Sequence, residues 1–383
     1  MDFNFKEEQQ QLADALRRWI AKDYGFDVRQ RIIHSASGVS DVAWNTLVEL
    51  GMTALPVPEA QGGFDGTAVD MLLVMQELGR GLVVEPYFAT VLGAHFLKLA
   101  GGQEHLLEQV ASGELKLACA LGEKHSRHDL FDVKTMGTIN GEGYLIDGTK
   151  TVVVHGGQAD GFIVSARSGG GQRDSNGISL FVVDAGAAGV TVRDYRTIDG
   201  QRAATVSFSN VAVPSSALLG KLGAGWEILD AAADYGAALL CAEAVGAMDA
   251  IFAATLEYLK TRSQFGAPIG KNQALQHRMA DMFVHLEQAR SMAMLAAAKA
   301  DARGSDEQRE ERRRCVSAAK VRVGQAAKFI GQQAVQLHGG MGVTDELPAA
   351  HYFKRLTMID LSLGDAEHHL ERFMAQPGFQ QHA

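Results

Sequence analysis

The chain has 383 residues, 46% hydrophobic and 21% charged, which suits one large domain or two to three small ones with a sizeable buried core. With 45 acidic residues against 36 basic ones its formal net charge is −9, which argues against a nucleic-acid binder, since phosphate contact needs a basic surface. Cys119, Cys241 and Cys315 are far apart and show no CxxC spacing, which speaks against a disulfide framework and for a reducing cytoplasm. The N-terminus is charged from Lys6 and has no signal-peptide core, and no run of about eighteen uncharged apolar residues occurs, so no membrane insertion is expected.

Helical periodicity dominates the first zone. Leu12, Leu16, Trp19 and Ile20 share one face of a first helix. A second pattern runs through Trp44, Leu47, Val48 and Leu50 and stops at Gly51; a third spans Val69 to Leu78, and segments 92–100 and 103–110 are shorter candidates. From about Glu114 the signal turns to strands. Tyr144-Leu145-Ile146 and Thr151 to Val154 flank Asp147-Gly148, which predicts a β-hairpin turning there. Phe162–Val164, Ile178–Val183, Val190–Val192 and Thr205–Phe208 add further strands. From Trp226 long alanine-rich helices run through 228–260, 271–302 and 306–338, the last opening on the capping box Ser305-Asp306-Glu307-Gln308 and closing at Gly339-Gly340. The basic run Arg312-Arg313-Arg314, beside Glu310 and Glu311, is expected on a solvated helix face. The expected fold is α+β: an all-α domain over 1–113, a β-barrel-like domain over 114–222 and a four-helix bundle over 223–383.

Familiar nucleotide and hydrolase loops are absent: there is no GxxxxGK[ST], no GxGxxG between strand and helix, and no GxSxG. His125 and His128, and the adjacent His368 and His369, invite a metal reading. Adjacent helical histidines diverge by about 100°, and HxxH lacks a third ligand, so no metal site is expected. Two glycine-bearing polar stretches are more informative. Arg262-Ser263-Gln264-Phe265-Gly266 ends one helix and leads to Gln273, and Gln336-Leu337-His338-Gly339-Gly340-Met341-Gly342 ends another. They read either as ordinary helix C-caps or as places where glycine lets backbone approach a ligand while Arg and Gln donate to a pyrophosphate.

On this helix–strand–helix order, Arg262-x-Gln264-Phe265-Gly266-x-Pro268-Ile269-Gly270-x-x-Gln273 and Gln336-x-x-Gly339-Gly340-x-Gly342 resemble the two strongest signatures of the acyl-CoA dehydrogenase family. The resemblance covers essentially the whole chain. It implies FAD as cofactor, α,β-dehydrogenation of an acyl-CoA thioester, and electron transfer to an electron-transferring flavoprotein. A carboxylate removes the α-proton while the β-hydrogen leaves as hydride to the flavin. It further implies that Arg262, Phe265, Gln273, Gln336, Gly339 and Gly340 contact the ADP half of a neighbouring subunit's FAD.

The flavin-ring side departs from the family. Where a Thr-Glu-Pro-Gly-x-Gly-Ser-Asp loop is usual, this chain has Gly122-Glu123-Lys124-His125-Ser126-Arg127-His128-Asp129, and Val152-Val153-Val154 replaces Trp-x-Thr. The usual base, a Glu before a Gly, is Leu363 before Gly364; the alternative base position and its arginine are Gly236 and Ala237. Asp365 and Glu243 are the two candidates for a relocated base. Runs 241–246, 351–360 and 364–370 resemble the small subunits of heteromeric members such as pimeloyl-CoA dehydrogenase. The expectation is therefore a base-lacking subunit of an α2β2 enzyme that clamps FAD on a homologous large subunit. The alternatives are a self-sufficient homo-oligomer with a relocated base and a flavin-free structural or regulatory partner. Lys150, His155 and Arg202 could meet an acyl carboxylate but are expected at the surface.

Overall fold

The computed structural model describes residues 5–377. In chain order it begins with α1 (Glu7–Asp23), α2 (Phe26–Ile33), α3 (Asp41–Glu49), α4 (Ala68–Arg80), α5 (Tyr87–Ala100) and α6 (Glu104–Ala111). Then come β1 (Leu117–Ala120), β2 (Met136–Asn140), β3 (Gly143–Val154), β4 (Gly161–Arg167), β5 (Ile178–Asp184), β6 (Val190–Arg196), β7 (Arg202–Pro214) and β8 (Leu218–Leu219). The rest comprises α7 (Trp226–Thr261), β9 (Ser263–Gln264), β10 (Ala267–Pro268), α8 (Gln273–Ala300), α9 (Asp306–His338), α10 (Pro348–Leu361) and α11 (Ala366–Met374). The chain forms two compact units. One takes the chain up to Gln30, Ala68–Val83 and everything from Ala237; the other takes Arg31–Thr67 and Val84–Gly236.

In the helical unit, α1 buries Ala13, Leu16, Trp19 and Ile20 along one stripe, as its spacing predicts. A chain of ion pairs links four helices: Arg17 to Glu77 (2.7 Å), Glu77 to Arg80 (3.3 Å), Arg80 to Asp249 (2.7 Å) and Asp249 to Arg290 (2.9 Å). Glycines set the crossing of α4 and α7. A Cβ on Gly79 would lie 2.1 Å from the Glu243 carbonyl oxygen, and one on Gly246 would lie 1.8 Å from that of Gln76. Any side chain there forces the helices apart. The Ser305 capping box opens α9 as predicted, with Ser305 Oγ accepting from Gln308 N–H and Gln308 Oε1 accepting from Ser305 N–H. Arg312 corrects the solvated-face expectation: it is buried, and its guanidinium donates to the Ala302 carbonyl at 3.1 Å. By length and composition α7 is apolar enough to cross a bilayer, yet 72% of its most apolar window is buried, so its hydropathy is that of a core helix.

The second unit is built on one sheet, ordered β6-β7-β3-β2-β4-β5-β8, with β1 parallel to β4. Its core gathers Ile146, Phe162, Val164, Phe181, Val206 and Phe208 among others. The hairpin expected at Asp147-Gly148 is not there. β3 runs through that point as one strand, with register irregularities against β7 at Ile146/Gly148 and again at Lys150/Val153. Gly148 adopts φ +147° and presses where a Cβ would meet Thr135 at 2.6–2.8 Å, so the Asp-Gly pair marks a bulge rather than a turn. The turn lies earlier, at Gly141-Glu142 between β2 and β3. α2, β1 and β2 have no counterpart in the sequence reading.

Lys150 also departs from expectation. It is not at the surface but fully buried, its ammonium donating to Glu123 Oε1 (2.8 Å), Ser165 Oγ (3.0 Å) and the Leu121 carbonyl (3.1 Å). His155 is also buried, and Arg202 is paired with Asp194. Burial pulls the Lys150 amine down to about 8 despite the opposing pull of Glu123.

Lys150→Met should leave Glu123 buried without its cation and cost about 3–5 kcal/mol in urea denaturation; a loss below about 1 kcal/mol would show that the pair holds little. Burial alone would raise the Glu123 carboxyl, but Lys150 and Thr135 outweigh it and hold it below its ordinary 4.5. Its stabilising share is therefore complete above pH 4.5 and fades as pH falls through the lowered value. Glu123→Gln should flatten that acid limb in a series of melting curves.

Candidate functional site

The two glycine-bearing stretches meet in the helical unit. α7 ends at Thr261, and β9 and β10 then form a two-stranded ribbon whose base is closed by Ile269 N–H donating to the Arg262 carbonyl (2.9 Å). Phe265 (φ +52°) and Gly266 (φ +80°) make its tip, and Phe265 projects fully exposed. One turn before the ribbon, the Tyr258 hydroxyl donates to the His338 carbonyl at 3.3 Å, and the two rings stack with centroids 4.5 Å apart. His338 is the last residue of α9, so the contact places the ribbon beside Gly339 and Gly340.

Arg262, Phe265, Gln273, Gln336, Gly339 and Gly340 are all exposed. A Cβ on Gly339 or Gly340 would meet nothing within 4 Å, and Gly339 has φ +62° and ψ −143°, a conformation open to glycine. Gln273 opens α8, where Asn272 places no side-chain oxygen on the first turn. An exposed guanidinium, an open helix start, a fully exposed aromatic ring and a bare glycine floor suit a dinucleotide's adenosine diphosphate half.

The residues expected opposite a flavin ring are differently disposed. The Glu123 carboxylate accepts from the backbone N–H of Lys134 and Thr135 (both 3.0 Å) as well as from Lys150. Asp132 accepts from Gln172 (2.6 Å) and faces His125 Nε2 (3.0 Å), and these hydrogen bonds hold its carboxyl below the ordinary aspartate value. Arg167 spends its guanidinium on the carbonyls of Phe131, Gln172, Asp174 and Asn176. Glu123, Asp132 and Arg167 are thus engaged within their own unit, while Lys124 and Arg127 of the same loop are exposed. Val152 is 56% exposed and sits at φ +54°, an outlying conformation for a β-branched residue. Neither the Val152 nor the Val154 side chain can donate to a flavin, so the side chains on this side do not fit the ring.

The two carboxylates considered as relocated bases are both engaged. Arg355 Nε and an Nη donate to the two oxygens of buried Glu243 at 2.6 and 2.8 Å, a bidentate pair between α10 and α7. Asp365 caps α11, accepting from the His368 N–H at 2.8 Å. Leu363 itself lies at φ +53°, its carbonyl accepting from His369 Nε2 at 2.9 Å. Burial and the nearby cations Lys320 and Arg372 keep His369 neutral, its value well below that of free histidine. Lys320 fastens the end of α10, donating to the carbonyls of Ile359 (2.8 Å), Asp360 (3.1 Å) and Ser362 (2.9 Å). Sequence spacing could not have found the Tyr258–His338 stack or the Arg355–Glu243 pair, since 80 and 112 residues separate the partners. Among the described residues, no three His, Cys, Asp or Glu side chains converge as a metal site.

Comparison with known proteins places this arrangement. Residues 6–114, 118–211 and 223–376 match the N-terminal, middle and C-terminal domains of acyl-CoA dehydrogenase. An acyl-CoA dehydrogenase of Bacillus subtilis (strain 168) is 30% identical over 328 residues, covering 83% of this chain and 84% of that protein. The chain belongs to the acyl-CoA dehydrogenase family. Among solved structures, the FAD complex of PigA superposes with a TM-score of 0.89 at 26% identity, covering 99% of this chain and 100% of the other. The ChsE4–ChsE5 complex of Mycobacterium tuberculosis gives 0.86 at 26% identity, with 97% of both chains covered. Membership brings FAD as the cofactor, an acyl-CoA as the substrate class, and the helical, sheet and helical domain order.

Arg355→Ala should strand Glu243 in the interior and cost about 3–5 kcal/mol in denaturant unfolding. The double change Glu243→Leu/Arg355→Met should recover most of that loss, because apolar groups of similar volume replace such a pair at little cost. A double variant as unstable as the single one would contradict the pairing.

Proposed function

We propose that this chain is the base-lacking small subunit of a heteromeric FAD-dependent acyl-CoA dehydrogenase, assembled as α2β2. Arg262, Phe265, Gln273, Gln336, Gly339 and Gly340 clamp the ADP half of an FAD whose flavin ring is seated on a homologous large subunit. That subunit supplies the ring pocket and the base. The observation that carries this reading is the asymmetry of the site: the ADP side is open and exposed, while on the ring side Glu123 and Asp132 are engaged within their own unit and the Val152 and Val154 side chains offer no hydrogen bond. Leu363 stands at the usual base position, Glu243 is held by Arg355 and Asp365 by the start of α11. The resemblance to a chain of the ChsE4–ChsE5 complex supports a heteromer.

The reading includes an electron-transferring flavoprotein as electron acceptor, a cytoplasmic location and domain limits at 1–113, 114–222 and 223–383. Its substrate is an acyl-CoA, whose acyl group Lys150 and His155, both buried, do not select.

The test is the flavin content of the complex purified through a tag on this chain, once its second subunit has been identified by mass spectrometry. Arg262→Ala should lower FAD per complex several-fold while the subunit ratio stays unchanged. Asp365→Asn should leave turnover intact and cost at most about 1 kcal/mol of stability through its cap. Flavin content untouched by Arg262→Ala would contradict the clamp and favour a flavin-free partner role. Activity abolished by Asp365→Asn would favour a relocated base.

A further inference from the structure

The clamp residues lie on two segments about seventy positions apart in sequence, and the ribbon is closed on itself at its base. Tyr258 joins the two. Its carbonyl accepts the Arg262 N–H at 2.8 Å, so the residue that opens the ribbon is tied to the Tyr258 backbone. Its hydroxyl donates to the His338 carbonyl at 3.3 Å, immediately before Gly339. Its ring stacks on His338 at 4.5 Å and 28°, and the His338 ring is held in turn, its Nδ1–H donating to the Ala334 carbonyl at 2.8 Å. His338 is buried, so this stack is a packed contact and not a surface coincidence.

We infer that Tyr258, through its stack on His338, is the positioning residue of the clamp: it sets Arg262 and Phe265 at the distance from Gly339 and Gly340 at which both segments reach one ADP moiety. This rests on the clamp reading above. Tyr258 touches no nucleotide in this account. It acts by fixing two otherwise separate segments, and their preorganisation sets the affinity.

The probe is ADP, titrated calorimetrically into the full-length chain, with circular dichroism and melting temperature recorded for every variant. Tyr258→Leu should weaken ADP binding by about tenfold, the order expected when a stacked aromatic pair is lost. Tyr258→Phe keeps the stack and loses only the 3.3 Å hydrogen bond, so its affinity should stay within about threefold of wild type. His338→Asn removes the stack from the other side and should match Tyr258→Leu, which keeps the inference testable if one variant folds poorly. Variants that lower the melting temperature but bind ADP like wild type would overturn the inference and leave the clamp standing. A wild-type chain that does not bind ADP would overturn the clamp reading and this inference with it.

Discussion

Burial of a carboxylate obliges the fold to provide a cation for it, and in the helical unit that obligation falls on Glu243 and Arg355. The pair joins α7 to α10, while the Glu243 carbonyl oxygen lies where Gly79 lacks a side chain, which seats α4 against the same stretch of α7. An unpaired carboxylate there would cost several kcal/mol, comparable with a large part of a domain's net stability. The position of α7 therefore depends on this contact, and the ribbon that carries Arg262 and Phe265 grows from the end of α7. A structural requirement deep in the unit thus bears on the geometry of an exposed site.

The same constraint operates in the sheet unit with a different outcome. Glu123 is present where the family's loop has its glutamate, but every polar partner it takes comes from its own unit: Lys134, Thr135 and Lys150. His125, Asp132, Gln172 and Arg167 complete the closure. Lys124 and Arg127 of the same loop are exposed, as is Val152, whose side chain offers no hydrogen bond. Three non-glycine residues with positive φ stand at the three places the resemblance singles out: Val152 at the ring, Phe265 in the clamp and Leu363 at the base. All three adopt a backbone conformation that non-glycine residues seldom take.

Much of this was legible in the sequence because periodicity reports burial directly. The stripe of α1, the capping box of α9 and the long alanine-rich helices follow from spacing alone, and the two glycine-bearing stretches were visible as motifs. What escaped has a common cause. An Asp-Gly pair between β-branched runs signals a hairpin locally, yet at Asp147-Gly148 the β3–β7 pairing carries the strand through as a bulge. Charged residues default to the surface, yet Lys150 and Arg312 are buried because carbonyls and a carboxylate elsewhere in the chain accept their hydrogen bonds. The partners of Tyr258, Glu243 and Lys150 lie far away in sequence, and no local pattern records them. Local rules found the elements and the two glycine-bearing motifs; long-range pairing decided which polar residues were available for chemistry.

In the proposed reading this chain holds half of a cofactor site. The most direct test is the visible spectrum and FAD-to-protein ratio of the chain purified alone. The purified chain should carry far less than one FAD per chain, and flavin absorption should be restored when the large subunit is added. One tightly bound FAD per chain, bleached by an acyl-CoA in the absence of any partner, would contradict it.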